Sequence, residues 1–220
     1  MFEDSEQLQI LFEKACKTNN VALVDLILLF QFDCIDPSCF KQFHAFHNSC
    51  CNGHVEILDR LLQEPKFRVY ELNNEFKCAS EYGHIAVVNR LLQEPTELVD
   101  PSFCENEPIY VAFRNGFVDI VDRLLQDMRV LQVMMDCRKA SNTNVINFAM
   151  NYGKIAVVDR LLQEPTEYVD PTYNQNRALK LAKKFDYKDI VNLLLQDKRV
   201  QMFEFTEKLL RKQMSVNANS

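Results

Sequence analysis

Glycine is scarce in this sequence. Among 220 residues there are four, Gly53, Gly83, Gly116 and Gly153. A two-domain α/β enzyme of this length draws on more, for tight turns and phosphate-cradling loops. No Gly-rich phosphate loop, His-Glu-x-x-His or Gly-x-Ser-x-Gly pattern is present. Basic residues are outnumbered, 25 Lys and Arg against 31 Asp and Glu, for a formal charge of −6. That balance speaks against nucleic acid as a partner, because phosphate binding wants a basic face. Long apolar runs are also missing. The most apolar stretch, Val21 to Phe30, is ten residues long and holds Asp25, where a bilayer-spanning helix needs roughly 20. The start, Met1-Phe2-Glu3-Asp4-Ser5-Glu6, lacks a signal peptide's basic and apolar segments. The expectation is an intracellular, cytoplasmic chain without a membrane partner, whose eight cysteines stay reduced.

What is present is an ordinary globular mixture, 47% apolar and 25% charged, arranged periodically. Six anchor positions, Asn19, Gly53, Gly83, Gly116, Gly153 and Asp186, are separated by 34, 30, 33, 37 and 33 residues. After each comes an apolar pattern at helical spacing. Val55, Leu58, Leu61 and Leu62 share one face, while Glu56, Asp59, Arg60 and Gln63 share the other. Seven residues before each anchor stands a large apolar residue and four before it a small one. The pairs are Phe12 and Ala15, Phe46 and Ser49, Phe76 and Ala79, Ile109 and Ala112, Ile146 and Ala149, Leu179 and Ala182. The small residue admits a neighbouring helix. The anchor requires a turn tolerant of positive φ, which suits Gly first and Asn or Asp second. Each unit is a helical hairpin that buries its apolar faces only by stacking on the next.

These residues resemble the ankyrin repeat. The segment Asn74-Glu-Phe-Lys-Cys-Ala-Ser-Glu-Tyr-Gly-His84 follows that family's first helix and its Gly-His turn, with Phe76 as the family leucine. His47 falls on the family histidine and Pro108 on the family proline. The likeness runs from about Leu8 to Gln196 in six degenerate copies. The tetratricopeptide repeat has a similar period, but its tryptophan and Leu-Gly marks are absent. The resemblance implies an all-α ankyrin-type solenoid in a single domain, 1–220. Its repeats are expected at about 5–38, 39–72, 73–102, 103–137, 138–172 and 173–200, followed by a capping helix at 201–215. On that helix Met202, Phe203, Leu209, Leu210 and Met214 are expected to cover the last repeat. The family's fingertip turn is missing. In its place stand Gln-Glu-Pro (Pro65, Pro95, Pro165) and Asp-Pro-Ser/Thr (Pro37, Pro101, Pro171), which predict tip loops of unequal length. The 37-residue interval predicts a lengthened tip around Leu131 to Asn144. Residues Tyr82 to Val130 also match Tyr152 to Val200 without a gap at an offset of 70, as after duplication of a two-repeat block.

The sharpest chemical candidate is His44-x-x-His47-x-x-Cys50-Cys51-x-x-His54, whose residue types suit zinc. The repeat register accounts for nearly all of it. His47 is the family histidine, Cys50 stands at an alanine-pair position, and His54 belongs to the Gly-His turn. In that register the side chains point in different directions and serve packing, so no metal or cofactor is expected. Cys16, Cys34, Cys39, Cys78, Cys104 and Cys137 form no Cys-x-x-Cys pair, and Cys78 and Cys104 read as packing or loop residues. A nucleophilic Cys–His pair stays open, because such partners meet in space rather than in sequence. Asp59, Asp122 and Asp159 each precede an arginine and read as a solvated face.

The resemblance implies a non-catalytic module that binds a partner protein through a concave face. The two residues before each anchor and the tips would line that face. The candidates for partner binding are Tyr82, Phe103, Arg114, Tyr152, Tyr173 and Phe185, because Tyr and Arg most often anchor interfaces. Further tip candidates are Phe40, Lys41, Tyr70, Glu105, Arg138, Lys139 and Asn174. Packing of Tyr82 and Tyr152 against neighbouring repeats is the competing reading. The chain is expected to be a monomer. Two alternatives remain: a metal-binding or cysteine-dependent enzyme in a helical scaffold, and an adaptor segment acting only within an assembly. The glycine-poor repeats with Asp-Pro-Ser tips also resemble ankyrin proteins of large DNA viruses and of intracellular bacteria, which implies a host protein as partner.

Overall fold

A computed structural model describes residues 2–30, 43–67, 71–141 and 145–217. Among them there are helices and no strand. The chain divides into two compact units, residues 1–127 and 128–220.

The first unit holds four helical hairpins. They are α1 (Phe2–Lys17) with α2 (Val21–Phe30), α3 (Phe43–Cys51) with α4 (Val55–Gln63), α5 (Asn73–Tyr82) with α6 (Ile85–Leu91), and α7 (Phe103–Asn115) with α8 (Val118–Leu125). The first helices stack in a row, α1 on α3 on α5 on α7, and the second helices in another, α2 on α4 on α6 on α8. The apolar spacing explains the rows. α4 buries Ile57, Leu58, Leu61 and Leu62, and α8 buries Ile120, Val121, Leu124 and Leu125, each set forming one face of a 3.6-residue helix. On the first helices the expected large and small residues are all buried, from Phe12 and Ala15 to Ile109 and Ala112.

All six anchors have positive φ: 56° at Asn19, 75° at Gly53, 84° at Gly83, 85° at Gly116, 62° at Gly153 and 57° at Asp186. An L-residue pays roughly 1–2 kcal/mol in this region, least when it is Asn or Asp. That explains which residues replace glycine. At four joints the residue after the anchor, His54, His84, Phe117 or Tyr187, wedges against the preceding hairpin. His84 hydrogen-bonds through Nε2 to the Cys51 carbonyl at 2.9 Å, and His54 to the Lys17 carbonyl at 3.0 Å. Phe117 takes the same place as a ring, lying so close to Gly83 that a Cβ there would meet its Cε1 at 2.6 Å.

Arginines on three of the second helices connect hairpins. Arg60 Nε binds Asp25 at 2.8 Å, Arg90 Nε binds Asp59, and Arg123 Nε binds Asn89 at 3.1 Å. The face read as solvated is therefore a ladder from one second helix to the previous one. Each such half-exposed rung contributes roughly 0–1 kcal/mol.

The second unit contains α9 (Met128–Ser141), α10 (Val145–Met150) with α11 (Ile155–Leu162), α12 (Tyr173–Lys184) with α13 (Lys188–Gln196), and α14 (Lys198–Asn217). α10 packs on α12, α11 on α13, and α13 on α14. The expected lengthened tip at 131–144 is mostly helix instead. No Gly or Pro interrupts Met128 to Ser141, and Val130, Leu131 and Met134 are buried at helical spacing. The terminal helix forms as expected, but its apolar face does not cover the last repeat. Phe203 is half-buried, while Met202, Leu209, Leu210 and Met214 are between 52% and 71% exposed. Burial stops near the start of the helix, at Val200, Phe203 and Glu204. There Arg199 ties the helix down, donating to the carbonyls of Leu162 at 2.7 Å, Glu164 at 3.0 Å and Val169 at 3.2 Å, and to Asp197 at 2.6 Å. Those carbonyls include ones freed at the end of α11.

The Asp-Pro-Ser/Thr tips hold the turn their sequence predicts. Asp100 Oδ1 accepts from Ser102 N at 2.9 Å and Oγ at 2.7 Å, and Asp170 Oδ1 accepts from Thr172 at the same distances. Next come three consecutive left-handed residues in each unit, Cys104-Glu105-Asn106 and Asn174-Gln175-Asn176, with φ between 49° and 70°. The 70-residue offset is thus kept down to backbone conformation.

Candidate functional site: the ends of the first helices

The sequence nominates positions just before the anchors, and these stand at the C-terminal ends of the first helices. In the first unit the ends of α5 and α7 are joined. Arg114 Nη2 donates to Glu81 Oε1 at 2.7 Å, and Asn115 Nδ2 donates to the Glu81 carbonyl at 2.8 Å. Tyr82, the next residue, closes α5 and is 58% exposed. It is not core. Tyr82 and Arg114 therefore belong to one exposed row, with Glu81 fixing the arginine. Phe103 is half-buried at the first position of α7, the opposite end of that helix from Arg114.

In the second unit Tyr152 follows α10 and Phe185 caps α12, two helices that pack together. Tyr152 is half-buried and its ring lies 5.2 Å from that of Phe148. Phe185 is 42% exposed, 5.6 Å from the Tyr187 ring and 5.8 Å from Lys184 Nζ. Tyr187 itself crosses Gly153, as Phe117 crosses Gly83. Tyr173 is half-buried and opens α12, away from Phe185. Glu105 and Asn174 are exposed within the left-handed turns. Phe40, Lys41 and Tyr70 lie outside the described residues, as do the side chains of Arg138, Lys139 and His44.

One group near this row was not legible in the sequence. Cys50 is fully buried and His54 turns to Lys17, as the repeat register predicts. His47 and Cys51 do not diverge: one helical turn apart on α3, they approach to 3.5 Å between Nε2 and Sγ. Cys78 of α5 joins them, and the three ligand-type atoms lie within 4.8 Å of one another. Ser49 and Ala79, both fully buried, let α3 and α5 come close enough for this. The expectation that Cys78 merely packs missed the meeting, because only the register between hairpins reveals it. A hydrogen bond to Cys78 pushes the Cys51 thiol up, with burial adding to the effect. The Cys78 thiol, stabilised as thiolate by that bond, is lowered. Burial pushes Cys16 up to about 12 and Cys50 well above its ordinary value, so both are inert as nucleophiles.

Stacked helical hairpins hinged at left-handed anchors, with His54, His84, Phe117 and Tyr187 wedged behind four of the joints, define a helical repeat protein. Residues 109–204 match the family model described as ankyrin repeats (3 copies). The hairpins before residue 109 repeat the same anchors and the same stacking. Comparison with curated proteins gave no match. Among the described residues no helix is long and apolar enough to cross a membrane.

Proposed function

We propose that this chain is a non-catalytic protein-binding module that uses the exposed ends of its first helices. Ankyrin repeats are generally protein-interaction modules, and the observation that carries the reading here is Tyr82. It is a large aromatic side chain, more than half exposed, beside an arginine held in place by Glu81. Aromatic and arginine side chains in such company are where binding energy concentrates, at roughly 2 kcal/mol or more each. In the second unit Tyr152 and Phe185 present the equivalent row. The half-buried Phe103 and Tyr173, at the other helix ends, are secondary. The protein acts in the cytoplasm as a monomer, without nucleic acid. Its partner carries a basic rim, complementary to the acidic chain, which makes capture weaken as salt rises.

Affinity capture with quantitative mass spectrometry tests this. Tyr82→Ala with Tyr152→Ala abolishes capture of the specific partner while helicity and melting temperature stay near wild type. Asp122→Ala, on a second helix, leaves capture intact. Full capture by the double variant would place the binding site elsewhere, and early melting would show both tyrosines to be structural.

A further inference from the structure

His47 and Cys51 are spaced i, i+4, so they share a face of α3. Cys78 faces them from α5, giving one imidazole and two thiols from two adjacent hairpins. Ligand bonds of about 2.3 Å to sulfur and 2.0–2.1 Å to nitrogen, at tetrahedral angles, hold sulfur and nitrogen about 3.6 Å apart and two sulfurs about 3.8 Å apart. The His47 Nε2 to Cys51 Sγ separation is 3.5 Å, and all three atoms fall within 4.8 Å of one another. The spacing is that of ligands around one ion, reached with small side-chain adjustments.

A second observation points the same way. Glu75, one turn before Cys78 on α5, is 4% exposed, and its Oε2 has no hydrogen-bond partner. A buried carboxyl with one oxygen unpartnered is costly, and burial pushes it up toward its neutral form. A positive ion held at this place stabilises the charged form of that carboxyl.

We propose that His47, Cys51 and Cys78 form a metal site that joins the second hairpin to the third and takes a borderline-soft dication of the Zn2+ class. Thiolate and imidazole donors favour such an ion over Mg2+ or Ca2+, which want oxygen. On binding, Cys51 and Cys78 each release a thiol proton to solvent, and two thiolates balance the two positive charges. The exposed edge of His47 leaves the fourth position open to water or to a donor from a bound partner. The ion sits beside Tyr82, one turn further along α5, and so borders the row of helix ends.

The test is a Co2+ titration of the full, reduced chain, followed by Zn2+ displacement. The expected result is one tetrahedral thiolate–cobalt spectrum per chain, lost when one equivalent of Zn2+ is added. Cys51→Ser and Cys78→Ser remove it, His47→Ala weakens binding at least about tenfold, and Cys104→Ser leaves it unchanged. Circular dichroism of each variant separates lost ligation from lost folding. Alkylation of wild type tests the site without any substitution: stoichiometric Zn2+ protects Cys51 and Cys78, while the exposed Cys104 stays reactive. Absence of the cobalt spectrum, equal binding by Cys78→Ser, or alkylation of Cys51 and Cys78 undiminished by Zn2+ overturns the proposal. So does closure of Cys51 and Cys78 to a disulfide, with dissolved oxygen as the oxidant, that proceeds undiminished in the presence of one equivalent of Zn2+.

Discussion

Replacing Gly83 by alanine tests the joint between hairpins at its tightest point. Two costs arise together. At φ of 84° an L-residue pays roughly 1–2 kcal/mol. The new Cβ would also stand 2.6 Å from Phe117 Cε1 and 2.8 Å from Cζ, about 1 Å inside ordinary carbon–carbon contact. The ring belongs to the next hairpin, so relief means moving one hairpin against the other, at about 1–3 kcal/mol for overpacking of this kind. The sum is about 2–5 kcal/mol, a large share of the 5–15 kcal/mol typical of a folded domain. Urea unfolding followed by circular dichroism reads it. The two costs separate in a double-mutant cycle with Phe117→Ala. Removing the ring removes the collision but not the backbone strain, so the double variant is less destabilised than the two singles together by about 1–3 kcal/mol. A Gly83→Ala midpoint within about 0.5 kcal/mol of wild type, or full additivity with Phe117→Ala, would refute the wedge.

Further outcomes follow from the second unit. Gln175→Gly relieves a left-handed residue with φ of 58° and stabilises by about 0.5–1 kcal/mol; a lower melting temperature contradicts the strain assignment. Arg199→Ala frees three carbonyls and Asp197, costing at least about 2 kcal/mol, and Arg199→Lys does not restore it, because a single ammonium cannot reach all four partners. Burial alone would raise the Asp197 carboxyl, but hydrogen bonds from Arg199 hold it below the ordinary value. This acid therefore adds stability above its unfolded-state pKa and loses it as pH falls through the folded one. Asp197→Asn should be less stable than wild type at neutral pH and flatten the acid limb of the stability profile, and an unchanged acid limb counts against the pair. Phe205→Glu, at a position 59% exposed on α14, shifts stability by no more than about 0.5 kcal/mol; a loss of several times that means the helix is covered after all.

The hairpin pattern was legible because it is written locally. An anchor, a small residue four before it and a large one seven before it lie within one turn or two, and Asn19 and Asp186 were identifiable as glycine substitutes from their register and from the tolerance of Asn and Asp for positive φ. α9 was not, because the long interval ending in Ser141-Asn142-Thr143-Asn144 reads as a loop, whereas Val130, Leu131 and Met134 turn inward. The face of α14 is apolar in sequence whether or not anything covers it. The left-handed triplets are marked only in part, by Asn106, Asn174 and Asn176, since Glu105 and Gln175 are ordinary helix formers. The Arg60–Asp25 and Arg90–Asp59 rungs and the approach of Cys78 to Cys51 depend on how one hairpin sits on the next. Spacing within a hairpin does not encode that offset. The exposure of Tyr82 and the fixing of Arg114 by Glu81 likewise needed the stacked helices to be seen.

The central claim is that the ends of the first helices are the binding surface. Hydrogen–deuterium exchange of the chain, free and bound to its captured partner, tests it most directly. Slowed exchange is expected at Glu81 to Gly83 and Arg114 to Gly116 in the first unit, and at Asn151 to Gly153 and Lys184 to Asp186 in the second, with α4, α6 and α8 unchanged. Protection confined to those second helices, with the first-helix ends exchanging as in the free protein, would contradict it.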